Sequence, residues 1–182
     1  VGEENLLLLA AHPGDEVLAC GGLIAEGCRL GRPPFVVILT DDGHEQRSRA
    51  ALRWLRLPPD RLLHAGLAPD TIPADGPFFR SIVAVLVTLS WRVDCNMVCA
   101  PGASGDGGGG QDGVGAIART LCDAARLPRL IQNAPPDDAL TLDVAAHLSV
   151  KQAALAAYGR DPTSATTAEF FGRGRGRERR NG

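Results

Sequence analysis

Apolar residues in this chain fall into short unbroken runs separated by longer stretches of helical spacing. Leu6–Ala11 and Phe35–Thr40 are wholly or nearly wholly apolar, the pattern of strands buried on both faces of a parallel sheet. Between them, residues 16–29 read as a helix, with Asp15 placed as its N-cap. A second helix is expected from about Glu45 to Leu57, closed by Pro58-Pro59, then a weaker strand at Arg61–Leu67. The pattern continues with a helix at 77–92, a strand at Val93–Ala100 and a helix at about Val114–Ala125. Short strands follow at Pro128–Asn133 and Leu140–Val144, and Ser149 is expected to cap a helix running to about Tyr158.

Strands alternating with helices of this length predict right-handed βαβ units. The expected fold class is α/β, a Rossmann-like three-layer sandwich with a mainly parallel sheet. Ligands of such sheets sit beyond the carboxyl ends of the strands. Chemistry is therefore sought after Ala11, Thr40 and Ala100.

Composition narrows the classes. The 182 residues are 45% hydrophobic and only 4% aromatic, which suits one domain with an aliphatic core. No apolar run approaches the roughly 18 residues of a membrane span, so no membrane partner is expected and a cytoplasmic location is the default. The net charge of −2 hides an asymmetry: residues 173–182 carry five Arg and one Glu, leaving the remainder at about −6. An acidic body argues against nucleic acid as a partner, although the Arg/Gly end could meet RNA phosphates. Residues 161–182 are expected to be an irregular Arg/Gly-rich tail, outside a domain at 1–160.

Five cysteines without a C-x-x-C pair suggest free thiols. Cys95 and Cys99, read on one strand, would lie about 13 Å apart, too far for a disulfide. Trp54 and Trp91 read as packing residues, and His64 and His147 as structural. Residues 102–115 contain eight glycines, a phosphate cradle or a flexible loop by composition. Its G-x-G-x-x-G matches come late in the chain and arise easily in such a stretch.

The most chemical segment is Ala11-His12-Pro13-Gly14-Asp15-Glu16, followed by Cys20-Gly21-Gly22. A strand end feeding a helix start puts His12 and Asp15 on one loop, where an imidazole nitrogen and a carboxylate can converge on Zn²⁺. Equally, His12 could be a hydrogen-bonded turn residue and Asp15 a cap.

This segment resembles the signature of the PIG-L/LmbE-like family of metal-dependent N-deacetylases, A-H-P-D-D-E followed by a G-G pair. Thr40-Asp41 at the end of the second strand, Leu57-Pro58-Pro59-Asp60-Arg61 and Lys151-x-x-Ala154 also match positions of that family. The resemblance covers about 1–160. It implies zinc-dependent hydrolysis of the N-acetyl group of N-acetylglucosamine-type sugars or glycoconjugates. His12 and Asp15 match metal ligands of the family, whose general-base position is Gly14 here. The later H-x-D-H motif aligns with Gly110-Gln111-Asp112-Gly113, so its Asp survives as Asp112 and its third-ligand position is Gly113. The usual Arg-x-x-Glu is replaced by His44-Glu45-Gln46-Arg47.

Losing the base alone should cost about 10²–10⁴ in rate, so a catalytically inactive binding domain is the alternative. Glu16, Asp112 or Asp106 could substitute as the base, and His44 lies near the expected pocket. A further alternative comes from Pro13–Gly22, which also resembles the opening motif of S-adenosylmethionine-dependent methyltransferases. That register would make Val17–Cys20 a strand.

Overall fold

The computed structural model describes residues 5–41, 43, 45–68, 71–101, 109–132 and 139–174. Seven strands form one sheet: β1 (Leu6–Ala10), β2 (Phe35–Thr40), β3 (Leu62–Leu67), β4 (Met97–Pro101), β5 (Arg129–Gln132), β6 (Leu140–Asp143) and β7 (Ala168–Gly174). Five helices connect them: α1 (Asp15–Arg29), α2 (Glu45–Trp54), α3 (Gly76–Arg92), α4 (Gly109–Ala125) and α5 (Leu148–Ala157). The strand order is β3-β2-β1-β4-β5-β7-β6. The first five strands pair in parallel, and β7 joins both β5 and β6 antiparallel. The α/β three-layer expectation is met.

Alternation along β1 divides the core. Leu8 and Ala10 pack with Val17 and Ile24 of α1, Leu52 of α2 and Leu155 of α5. Leu7, Leu9 and Ala11 face Phe79 and Val83 of α3 and Ile117 and Leu121 of α4. A strand covered on both sides has no polar face, which is why its sequence is an unbroken apolar run. The chain winds from β1 outward to β3, then returns to lay β4 on the other side of β1. Strand order reverses between β1 and β4, and the crevice outside their carboxyl ends is where such sheets bind ligands.

Several local expectations are corrected. Gly14, in the left-handed region at φ 93°, precedes α1, and Asp15 is its first residue rather than its cap. Val17–Cys20 lies within α1, which removes the methyltransferase register. α2 stops at Trp54, because Arg56 adopts φ 62° before the proline pair. β4 starts at Met97: Asp94 has φ 51° and the Cys95 amide bonds back to Ser90, so the segment from Val93 is the exit turn of α3. Cys95 is thus off the strand, and the sulfur near Cys99 is that of Cys20, 3.9 Å away. All five cysteines are free thiols. α4 begins at Gly109, earlier than expected. α5 follows a 3₁₀ turn at Ala145–His147, so Ser149 is not its cap. Trp54 and Trp91 are 56% and 69% exposed, on the outer faces of their helices.

The chain does not become irregular at 161. A 3₁₀ turn at Pro162–Ser164 leads into β7, which carries buried Glu169 and Phe171. The remaining Arg-rich end, with any RNA contact, lies outside the described residues.

The Gly21-Gly22 pair has a packing cause. α1 is kinked at Cys20 (φ −135°, ψ 15°), and a Cβ on Gly22 would lie 2.3 Å from Val144. The amides freed by the kink, Gly22 N and Leu23 N, donate to the Glu169 carboxylate at 2.7 and 2.9 Å. Lys151 Nζ donates to the same carboxylate at 2.7 Å, and both side chains are sealed from solvent. A carboxylate on β7 therefore acts as the N-terminal cap of the second half of α1.

Candidate functional site

The loop from Ala11 to Asp15 leaves β1 at the reversal of strand order. Its His12 ring is positioned from β2. Thr40 Oγ1 donates its only proton to Ala11 O at 2.9 Å, so it must accept from His12 Nδ1, 2.8 Å away. In the neutral ring Nε2 then carries the lone pair. An imidazole fixed by its other nitrogen in this way is arranged to accept a proton or bind an electrophile.

Asp15 lies on the same loop, its Oδ2 accepting from His12 N at 3.2 Å. Its other oxygen meets a cation. Arg160 Nη2 donates to Asp15 Oδ1 at 3.0 Å and to Pro13 O at 3.1 Å. The Arg160 side chain is 35% exposed and that of Asp15 20%. Arg160 is aimed there by the stop of α5. Gly159 takes φ 74°, its amide bonds to Ala156 O and the Arg160 amide to Leu155 O, the paired bonds of a Schellman stop.

Glu16 is fully buried. Its Oε2 accepts from Gly14 N at 2.8 Å and its Oε1 from the Tyr158 hydroxyl at 2.6 Å. Burial raises its pKa to about 7, against the opposing pull of the Tyr158 hydrogen bond. Both oxygens are occupied and neither reaches solvent, so Glu16 braces the loop and cannot replace the base missing at Gly14.

Asp112 stands in the first turn of α4, and its Oδ1 is buried without a hydrogen-bond partner among the described residues. A carboxylate oxygen left unpaired costs free energy unless something else completes it. Gly113 is buried against Ile72, where a Cβ would lie 2.7 Å from Cγ2 and 2.9 Å from the carbonyl oxygen. No side chain, and so no histidine, fits there without displacing the loop before α3.

A zinc ion would need three of these donors to converge. His12 Nε2 suits it, but the Asp15 oxygen facing outward is held by Arg160, and position 113 has no room for a ligand. Among the described residues, no three His, Cys, Asp or Glu side chains gather where an ion could sit. The described residues do not fit a zinc centre. His44, Asp106 and the side chain of Gln111 lie outside the described residues. His147, read as structural, joins α1 through Glu26 at 2.8 Å. Two surface grooves, about 380 Å³ beside α3 and α4 and about 390 Å³ beside α2, touch neither His12 nor Asp15.

The sequence puts His12 and Asp15 on one loop, where the contact between them runs from the His12 amide to the Asp15 carboxylate, but it does not reveal Thr40 as the partner of His12, nor Tyr158 and Arg160. The available signal for Arg160 was Gly159, whose place just past a helix marks a stop that fixes the direction of the next residue.

No protein-family model matches the sequence, and no curated protein matches it. Solved structures match by fold. The N,N'-diacetylchitobiose deacetylase from Pyrococcus horikoshii is 14% identical with TM-score 0.71, over 86% of this chain and 70% of that one. A zinc-inhibited form of the teicoplanin deacetylase Orf2 is 15% identical with TM-score 0.66, over 85% and 83% of the two chains. The hydratase GalB, which acts on 4-carboxy-2-hydroxymuconate, from Pseudomonas putida KT2440 is 15% identical with TM-score 0.73, over 98% and 99%. The chain thus has the fold of the chitobiose and teicoplanin deacetylases. The same fold carries a hydratase, so the fold leaves the reaction to the site.

Proposed function

We propose that this protein is a PIG-L/LmbE-like protein that takes an N-acetylglucosamine-type sugar or glycoconjugate at the carboxyl ends of β1, β2 and β4. In this reading, hydrolysis of the N-acetyl group is slowed or lost. The observation that carries it is the Arg160–Asp15 pair over a side-chain-free Gly14, set inside a fold shared with sugar deacetylases. The His12 Nε2 lone pair can accept a proton from a ligand hydroxyl or water. Nη1 of Arg160, which makes no hydrogen bond among the described residues, can donate to an acyl oxygen. The family's base position beside them, Gly14, holds no carboxylate to move a proton.

The test is binding and turnover of N-acetylglucosamine and N,N'-diacetylchitobiose, followed by ligand-observed NMR and acetate release. Binding with little or no acetate is expected. Failure of both sugars to bind at millimolar concentration would remove the sugar reading.

A second reading, retained deacetylation, is favoured by the unpartnered Oδ1 of Asp112. Under it, acetate release is measurable and Asp112→Asn lowers it by about 10²–10⁴, the contribution of a general base.

A further inference from the structure

We propose that Arg160 is the resident cation of this site: its guanidinium takes the charge-neutralising place on Asp15 that a divalent metal would need, and it keeps such ions off that carboxylate.

Three observations converge. Nη2 is anchored twice, to Asp15 Oδ1 at 3.0 Å and to Pro13 O at 3.1 Å, so the guanidinium is tied to both the carboxylate and the backbone of the loop. Its approach depends on the absence of a side chain at 14. A Cβ there would lie 2.6 Å from Arg160 Nε and 3.0 Å from Cζ, so Gly14 and Arg160 are a matched pair. Finally, the direction of Arg160 is set by the Schellman stop of α5, which is itself packed against α1 and α2 and whose Leu155 is fully buried.

The chemistry follows from charge. A partly buried carboxylate at a helix N-terminus already has partial compensation from the helix, and the tethered guanidinium completes it with a charge-assisted hydrogen bond. A divalent ion must first displace that group, losing the ion pair and the Pro13 contact, and gains only Asp15 and His12 among the described donors. Two protein ligands are fewer than the three a catalytic zinc site uses. Because guanidinium and metal compete for one carboxylate, removing the first must strengthen the second.

The experiment needs no sugar, so it succeeds or fails separately from the proposed ligand. Zinc content is measured on the dialysed full chain, and Zn²⁺ alone is titrated by calorimetry into wild type, Arg160→Met and Arg160→Gln. The wild type should hold far less than one zinc per chain, and both variants should bind Zn²⁺ at least about tenfold more tightly than wild type. The double variant Asp15→Asn/Arg160→Met should return to the wild-type affinity. Either variant suffices if the other fails to fold. Near one zinc per chain in wild type, or variants that bind no more tightly, would overturn the proposal.

Discussion

α5 is fastened to α1 at two levels, and the two fastenings differ in kind. At the kink, one carboxylate, Glu169, receives three donors, Lys151 Nζ, Gly22 N and Leu23 N, and nothing reaches solvent. At the loop, Tyr158 holds Glu16 and Arg160 holds Asp15, but the partly exposed Arg160 keeps Nη1 unused among the described residues and His12 keeps a bare nitrogen. A network sealed from solvent fixes geometry and lies out of a ligand's reach. An incompletely satisfied, partly exposed one can exchange its partners. The kink is therefore structure, and the loop is where a ligand can compete.

The largest break in this contrast comes from the kink. Lys151→Met leaves the Glu169 carboxylate buried beside two amides with no counter-charge, and removing one partner of a buried ion pair costs about 3–5 kcal/mol. Urea unfolding of the two proteins measures it. Adding Glu169→Gln should recover part of the loss, since an amide oxygen still accepts from Gly22 or Leu23. A loss below about 1 kcal/mol would put this pair in the range of exposed bridges and erase the contrast.

At the loop the expected signature is pH dependence. Glu16 has a folded pKa of about 7 against an ordinary 4.5, so the folded chain binds more protons than the unfolded chain between those values. Its contribution to stability is complete below about pH 4.5 and is lost as pH rises through 7, an effect of about 3 kcal/mol. Glu16→Gln removes the titration. The stability difference between wild type and this variant, measured by urea unfolding from pH 4.5 to 8, should therefore move in favour of the variant as pH rises. A constant difference would mean that burial does not hold Glu16 protonated.

What was legible in the sequence follows the same division. Leu6–Ala11 and Phe35–Thr40 announce buried strands because both faces are apolar, and the loop after β1 holds His12 and Asp15 together by chain connectivity alone. Interactions that cross the fold left no such trace. Arg160 and Asp15 are 145 positions apart, and Tyr158 and Glu16 are 142 apart. β7 was hidden because Glu169, a charged residue, faces inward, which a reading of apolar runs takes for solvent exposure. Its reason is Lys151, the chain's single lysine, whose burial no local pattern announces. The alignment of Asp112 and Gly113 with a ligand motif was a matter of spacing. Only packing shows that Ile72 occupies the space a side chain at 113 would need.

The smallest expected effect couples one of the loop's anchors, Tyr158, to that titration. Tyr158→Phe removes the 2.6 Å hydrogen bond to Glu16 Oε1 while keeping the ring in place. Losing a hydroxyl partner of a buried carboxyl costs about 1–2 kcal/mol. The bond favours the ionised form of Glu16, so its removal should push the Glu16 pKa above 7. The cost must then be larger at pH 8, where the carboxylate is charged and loses a donor, than at pH 5, where it is neutral. Unfolding of the variant at those two pH values decides it. An equal cost at both would show that Tyr158 supports α1 by packing alone, and the loop fastening would lose its electrostatic distinction from an ordinary helix contact.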